Sequence, residues 1–250
     1  MWTASRRQFL ATSTTVGAGL LAQPAASRAA ANERLTLGFV GLGERGIYLL
    51  EQFLAEPDIE VVAICDVEDL HYRERDWGKG KALGRAPARD RISKASGSPP
   101  AVITNDFREV CGHPDLDAVV IATPDHWHAL CTLESIGSGK DVYCEKPVTH
   151  RFAEGLAICR AVADGGTIFQ TGSQQRSLPE FRRAVELIRN GVLGGLERIE
   201  VGLPSGYEQP MGSPEIVTPP DPTAYDRWCG PAEKLPYMRA RHHRWWRGHS

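Results

Sequence analysis

The stretch GFVGLGERG, residues 38–46, decides the fold that this sequence predicts. The apolar run from Leu35 to Val40 predicts a buried strand that leads into it. Apolar residues then recur at helical spacing, at Ile47, Leu50 and Leu54. Within the stretch 38–46, three glycines form a G-x-G-x-x-G motif: Gly41, Gly43 and Gly46. In a strand, loop and helix, such glycines allow a tight turn, close approach of the backbone to a pyrophosphate, and close packing of helix on strand.

An acidic residue follows the next predicted strand. The apolar run from Ile59 to Cys65 ends at Asp66, about twenty residues after Gly46, where a carboxylate accepts hydrogen bonds from an adenosine ribose. The combination predicts dinucleotide binding, and a purely structural glycine turn is the alternative. Because Asp66 repels a 2′-phosphate, NAD is favoured over NADP, unless Arg45 or Arg73 compensates.

Short apolar runs alternate with helical stretches along the rest of the chain, which is typical of a parallel α/β sheet. We therefore predict a doubly wound Rossmann domain over residues 33–150, followed by the start of an α+β substrate domain over residues 151–250. The Gly-, Lys-, Arg- and Pro-rich segment from Trp77 to Pro100 is interpreted as the end of a helix and an exposed loop. Further strands are predicted at 101–104, 118–122, 141–144 and 168–170.

The region after residue 170 has weaker signals. A capping-box pattern from Ser177 to Glu180 predicts a helix that ends near Asn190 and buries one apolar face. That face consists of Phe181, Ala184, Val185 and Ile188. Alternation from Arg198 to Leu203 predicts a strand, and the proline-rich segment from Pro204 to Pro222 predicts a long loop.

Two polar turns follow buried strands, where ligands bind in open α/β sheets. One is Thr123-Pro124-Asp125-His126-Trp127-His128, whose two histidines lack the further ligands that a metal site needs. The other is Glu145-Lys146-Pro147. A lysine there can hydrogen-bond a substrate hydroxyl and ease the loss of its proton, so Lys146 is the candidate catalytic and substrate-binding residue.

The first 31 residues have the features of a twin-arginine export signal. Arg6-Arg7 precede a short apolar run and an Ala29-Ala30-Ala31 cleavage pattern. We expect export to the periplasm or cell envelope, with no transmembrane segment after cleavage. The six cysteines are interpreted as buried thiols, and the net charge of −2 gives no general nucleic-acid footprint. The basic, tryptophan-containing end of the chain is not interpreted as a nucleic-acid patch either.

These motifs together resemble the family of glucose–fructose oxidoreductase, inositol dehydrogenase and MocA-like proteins. The matching pieces span most of residues 35–203: GFVGLGERG, ICD at 64–66, DAVVIATPDHWH at 117–128, GKDVYCEKP at 139–147 and QTGSQQRS at 170–177. The TPDHWH form and the leader look most like exported, planctomycete-type members.

The resemblance implies NAD(P)-dependent oxidation or reduction of a sugar, cyclitol or related polyol. It implies that the loop residues Gly41, Gly43, Glu44, Arg45 and Gly46 hold the adenosine half of the cofactor together with Asp66. It places Thr123, Pro124 and His128 at the nicotinamide side, Glu145 and Lys146 near the cofactor and the reacting carbon, and Arg176 near the substrate. It also implies a homo-oligomer for full-length members.

The sequence departs from the family pattern at its end. The family's tryptophan-rich stretch leads into a helix whose Asp and His complete the active site, and Ser250 comes before any such residues. A truncated chain with weak or no activity is therefore expected. Three hypotheses remain open: a sugar or polyol oxidoreductase, a redox-assisted glycosidase that uses NAD without net turnover, and a non-catalytic dinucleotide-binding remnant.

Overall fold

The fold is built on one six-stranded parallel sheet in which the strand order reverses. The structure is a computed structural model and describes residues 34–73, 79–203 and 213–239. The strands of the sheet are β1 (Leu35–Val40), β2 (Ile59–Cys65), β5 (Val102–Thr104), β6 (Ala118–Ile121), β7 (Asp141–Glu145) and β8 (Phe169–Gly172). They lie in the order β5-β2-β1-β6-β7-β8, and every neighbouring pair is parallel. The predicted doubly wound Rossmann sheet is confirmed, and its switch point lies between β1 and β6.

Helices cover both faces of the sheet. They are α1 (Glu44–Phe53), α2 (Arg85–Ser96), α3 (Phe107–Cys111), α4 (Asp125–Gly137), α5 (Phe152–Gly165), α6 (Pro179–Arg189) and α7 (Pro222–Cys229). A two-stranded hairpin of β3 (His71–Tyr72) and β4 (Ala82–Leu83) lies between β2 and α2. A short 3-10 turn, Gln174–Ser177, precedes α6.

The core divides into two apolar layers because side chains of a strand point alternately to its two faces. Phe39 of β1 belongs to the layer that includes Ile47 of α1 and Ile92 of α2. Its neighbour Val40 belongs to the other layer, with Val110 of α3 and Ile136 of α4. Both faces of β1 are therefore buried, which explains its continuous apolar sequence.

The prediction of an exposed loop from Trp77 to Pro100 is wrong for most of its described part. This segment contains β4 and the whole of α2, which ends where Gly97 adopts a φ of 83°. Ala88 and Ile92 are buried, so a narrow apolar stripe fixes the helix although most of its residues are polar. The Gly and Pro content of this segment predicts a loop, but its Lys and Arg residues are also good helix formers.

The helix predicted after Ser177 forms as α6, but its apolar face is not buried. Phe181, Val185 and Ile188 are 50%, 46% and 40% exposed, and Ala184 is exposed as well. Its N-cap is Leu178, without a side-chain capping bond, so the predicted capping box is wrong. Helical periodicity predicts which face of a helix is apolar, but that face is buried only where another element packs on it. No described element covers this face of α6.

The strand predicted from Arg198 to Leu203 is wrong as well. Alternate residues of this segment are strongly exposed, and no described strand pairs with it. The predicted loop from Pro204 to Pro222 lies partly outside the described residues. Its last residue, Pro222, is the first residue of α7. The Asp221 carboxylate caps this helix by accepting hydrogen bonds from the main-chain nitrogens of Thr223 and Ala224. The predicted leader and the tail after Arg239 lie outside the described residues.

Candidate functional site

A cavity of about 430 Å³ opens along the carboxyl edge of the sheet. Residues that follow all six parallel strands line it: Gly41, Asp66, Asn105, Thr123, Lys146 and Gln174. Parallel strands end at one edge, so motifs far apart in sequence converge there. The glycine loop (residues 41–46), the Thr123 turn (residues 122–124) and the lysine turn (residues 145–147) thus share one cavity.

The three glycines of the loop meet different surroundings. Gly41 has a φ of 90°, and a Cβ there would lie 2.6 Å from the main-chain nitrogen of Thr123. A Cβ on Gly46 would lie 1.9 Å from the Gly41 carbonyl oxygen, so this glycine allows the helix to pack closely behind the loop. Gly43 lines the cavity, and no described atom lies within 4 Å of a Cβ built on it. This geometry agrees with the predicted tight turn at Gly41 and the close packing at Gly46, whereas the approach of Gly43 to a pyrophosphate stays a prediction.

Asp66 connects the glycine loop to the end of β2. Its Oδ2 accepts from the main-chain nitrogen of Leu42 at 2.6 Å, and its Oδ1 accepts from that of Glu68 at 3.0 Å. A carboxylate has further lone pairs for a ribose hydroxyl, and Asp66 lines the cavity. Asp66 therefore orders the loop, and its contact with a ribose stays a prediction.

The residues present fit a dinucleotide. The first turn of α1 opens towards the cavity at Gly43 and has no side-chain cap, so its N–H groups are available to a pyrophosphate. On the other side of the switch point, the Thr123 hydroxyl oxygen is buried and has no hydrogen-bond partner among the described residues. Buried polar atoms in a binding site are usually satisfied by a ligand or water, and Thr123 lines the cavity.

Arg45 and Arg73, the two arginines that could bind the 2′-phosphate of NADP, each form an ion pair with a glutamate. Arg45 Nε donates to Glu145 Oε1 at 2.7 Å, and Arg73 forms an ion pair with Glu44. Because both guanidinium groups already have carboxylate partners, neither offers an uncompensated charge to NADP. This arrangement agrees with the preference for NAD that Asp66 indicates.

The lysine turn and the Thr123 turn are connected through His128, which is 1% exposed. Its Nδ1 lies 2.6 Å from the Pro147 carbonyl oxygen, and its Nε2 lies 2.9 Å from the Thr123 carbonyl oxygen. His128 therefore packs between the two turns, and the ring nitrogen that carries the proton donates to the carbonyl that faces it. Lys146 is exposed at the cavity wall, and its main-chain nitrogen donates to Glu145 Oε2 at 3.3 Å.

Helix α7 adds a wall that the sequence did not predict. The Trp228 carbonyl oxygen accepts from Trp127 Nε1 at 3.0 Å and from His126 Nε2 at 2.9 Å. Arg227 and Trp228 line the cavity in consequence. The only sequence signal was the tryptophan-rich composition around residue 228, which does not indicate a docking position.

Of the predicted site residues, Gly46 and Arg176 do not line the cavity. Gly46 lies behind the loop, as its packing role requires, and Arg176 is exposed on the 3-10 turn, where its neighbour Gln174 reaches the cavity instead. A contact between Arg176 and substrate stays a prediction. The cavity does include Pro124, Glu44 and the other predicted cofactor residues.

Burial sets the ionisation of several groups around the cavity. It lowers the pKa of His126 below its usual range, although the bond to the Trp228 carbonyl opposes the shift. The same desolvation raises the pKa of the Cys144 thiol to about 12 and that of the Cys65 thiol well above its ordinary value. All six cysteines are free, as predicted, and all except Cys159 are buried.

Residues 34–73, 79–203 and 213–239 contain no group of three or more metal-ligating side chains placed to hold an ion. Nor does any helix within these ranges have the length and apolar character needed to cross a bilayer.

Comparison with known proteins identifies the family to which this fold belongs. Residues 35–173 match the model of a family described as an oxidoreductase family with an NAD-binding Rossmann fold. The chain is 27% identical over 207 residues to a glycosyl hydrolase family 109 protein of Stenotrophomonas maltophilia, and this match covers 81% of the chain and 42% of that protein. It is 32% identical over 167 residues to a protein of the same name from Shewanella baltica, covering 64% of the chain and 33% of the relative. The chain thus spans less than half the length of these relatives.

Solved structures share the fold. A scyllo-inositol dehydrogenase from Lactobacillus casei, crystallised with bound NAD(H) and scyllo-inositol, superposes with a TM-score of 0.53 at 23% identity. The superposition covers 64% of this chain and 42% of the dehydrogenase.

Proposed function

Because this chain belongs to the oxidoreductase family with an NAD-binding Rossmann fold, we propose that it binds NAD and serves hydride transfer at a carbinol carbon of a sugar, cyclitol or related polyol. One observation carries the proposal: the glycine loop, Asp66 and Lys146 line a single cavity at the switch point of the sheet. Binding and chemistry require these groups together, and the fold brings them together from three separate motifs.

Different residues of the cavity bind the pyrophosphate, the ribose and the substrate hydroxyl. The glycine loop and the first turn of α1 bind the pyrophosphate, while Asp66 keeps the loop in place through Leu42 and accepts from the ribose. A bound nicotinamide supplies the hydride acceptor. Lys146, which has no carboxylate partner among the described residues, hydrogen-bonds the substrate hydroxyl and stabilises the negative charge that develops as its proton leaves.

The first test separates binding from chemistry. NADH titration followed by fluorescence should show saturable binding to the purified protein, with NAD preferred to NADP. Lys146→Ala should change NADH affinity by less than about 3-fold while lowering any polyol-dependent NAD reduction by about 10²- to 10⁴-fold, the usual range for a general acid or base. A protein that is well folded and binds neither NADH nor NADPH would refute the proposal.

A second candidate function is a redox-assisted glycosidase. The names of the curated relatives, glycosyl hydrolase family 109, favour it. In this reaction the sugar would be oxidised to a ketone, lose its aglycone by elimination, add water across the resulting double bond, and then regain the hydride at the ketone, so no reduced cofactor accumulates. Release of nitrophenol from a panel of nitrophenyl glycosides, dependent on NAD and without net NADH, would distinguish it from a dehydrogenase. Binding of NADH without either turnover would favour a non-catalytic dinucleotide-binding protein.

We further propose that residues 1–31 direct export by the twin-arginine route. The support is the Arg6-Arg7 pair followed by a short apolar run. Fusing these residues to a folded reporter should send it to the periplasm, and replacing both arginines with lysine should retain it inside the cell.

A further inference from the structure

Arg227 differs from most cations of the cavity because no carboxylate within residues 34–73, 79–203 and 213–239 forms an ion pair with it. Three other arginines line the same cavity, and each forms an ion pair: Arg45 with Glu145, Arg73 with Glu44, and Arg108 with Asp106. The side chain of Arg227 makes neither a hydrogen bond nor an ion pair with any residue in the described ranges, and the same is true of the Lys146 side chain. The proposed reaction already accounts for Lys146, whereas nothing accounts for Arg227.

The backbone that carries Arg227 is held firmly against the Rossmann domain. Its neighbour Trp228 accepts two hydrogen bonds through its carbonyl, and the rings of His126 and Trp228 meet edge to face at 5.5 Å. Gly230 lies so close to Trp127 that a Cβ would come within 2.1 Å of the indole ring. These contacts fix the last turn of α7 at the cavity wall, so Arg227 is presented there by rigid packing.

A half-buried guanidinium needs a compensating group, because removing it from water without a partner is unfavourable. Guanidinium groups match carboxylates and phosphates through two parallel hydrogen bonds. We propose that Arg227 is an anion-binding residue of this cavity, which holds a phosphate or carboxylate group of the bound ligands. The inference rests on the proposed function, because it assumes that the cavity takes a dinucleotide and a sugar.

That anion has two possible sources, the pyrophosphate of the dinucleotide and an acidic group on the substrate, such as the carboxylate of a sugar acid. If the pyrophosphate is the source, α7 closes over the cofactor and Arg227 determines cofactor affinity. If the substrate is the source, Arg227 selects acidic sugars over neutral ones. Both outcomes place the same chemistry at the same residue.

The experiment compares four forms of the whole chain: wild type, Arg227→Gln, Arg227→Lys and Arg183→Gln. Arg183 is exposed on α6 and does not line the cavity, so its substitution controls for the loss of one positive charge. The first arm measures NADH affinity at low and high salt. The second arm measures the binding of glucuronate and glucose to the NADH-saturated protein by calorimetry, and thermal unfolding confirms that each variant is folded.

A pyrophosphate contact predicts that Arg227→Gln weakens NADH binding by about 10-fold or more, with a shallower salt dependence and partial recovery in Arg227→Lys. A substrate contact predicts unchanged NADH affinity and about 10-fold weaker glucuronate binding, with glucose unaffected. If wild type binds NADH and Arg227→Gln matches Arg183→Gln in both arms, the inference is wrong while the proposed function stands. If wild type does not bind NADH, both are wrong.

Discussion

Arg45 in the glycine loop donates to Glu145 at the end of β7, and this bond spans the switch point of the sheet. Glu145 is 5% exposed, so its carboxylate depends on Arg45 and on the main chain of Lys146 for compensation. Arg45 therefore couples the glycine loop directly to the lysine turn.

Removing both sides of this ion pair should cost less stability than the two single removals added together. Arg45→Met leaves a buried carboxylate without its cation and should cost about 1 to 3 kcal/mol in urea unfolding, whereas Arg45→Met with Glu145→Gln should cost less than the two single changes together. The pair of Arg91 and Glu51 is the control, because the carboxylate of Glu51 is 42% exposed and Arg91→Met should therefore cost only about 0 to 1 kcal/mol. Strict additivity would show that Arg45 and Glu145 are not coupled.

Alanine substitution should affect cofactor binding at Gly43 and protein stability at Gly46, two glycines of the same loop. Gly43 has ordinary dihedral angles and open space around it, so Gly43→Ala should leave the melting temperature nearly unchanged yet weaken NADH binding, since the methyl group enters the space that the cofactor needs. In Gly46→Ala the methyl group meets the Gly41 carbonyl oxygen, so the protein itself should be destabilised by about 2 kcal/mol or more. Equal stability losses in the two variants would contradict this division.

His126 should make stability depend on pH. Burial holds its folded pKa below the unfolded value of 6.5, so the unfolded chain takes up the proton first as the pH falls. The stabilisation is fully present above the unfolded pKa and is lost as the pH drops towards the folded pKa. Urea unfolding between about pH 7.5 and pH 5 should show this loss, and it should shrink in His126→Gln, whose amide can donate to the Trp228 carbonyl without titrating. An unchanged pH profile in the variant would assign the effect to other groups.

The cysteines should react in two classes. Cys159 is exposed on α5, whereas the pKa of Cys131 and Cys144 is raised by burial and their thiols are shielded from solvent. Titration of the native protein with a coloured disulfide reagent should therefore modify one thiol rapidly, and denaturant should release the other five of the six. Cys159→Ser should abolish the rapid phase. A second rapid thiol would show that one buried site opens readily.

The sequence predicted best those parts whose structure depends on nearby residues. The strand from Leu35 to Val40, the glycine loop and Asp66 form one local unit, and each element was identified from continuous apolar runs and turn residues. The lysine turn was placed correctly at the same edge because parallel strands end there. Helix α2 was missed because its apolar stripe consists of few residues among many charged ones.

The remaining part of the site depends on contacts across the chain. Arg227 reaches the cavity because Trp228 bonds to His126, and these two residues are 102 positions apart. No periodicity or spacing encodes such docking. The prediction that one face of α6 is buried is wrong for a related reason. The spacing of Phe181 and Val185 shows that this face is apolar, but it does not indicate which element would cover it.

The position of β1 at the switch point also constrains the order in which the molecule can be assembled. Its partner β2 emerges from the ribosome soon afterwards, but β6, on its other edge, arrives far later, since Thr36 and Asp117 are 81 residues apart. The end of the cavity formed by the glycine loop and Asp66 can therefore form during synthesis while the Thr123 turn and the lysine turn are still missing. Nascent chains of intermediate length should hold a partial nucleotide cleft before any reaction centre exists.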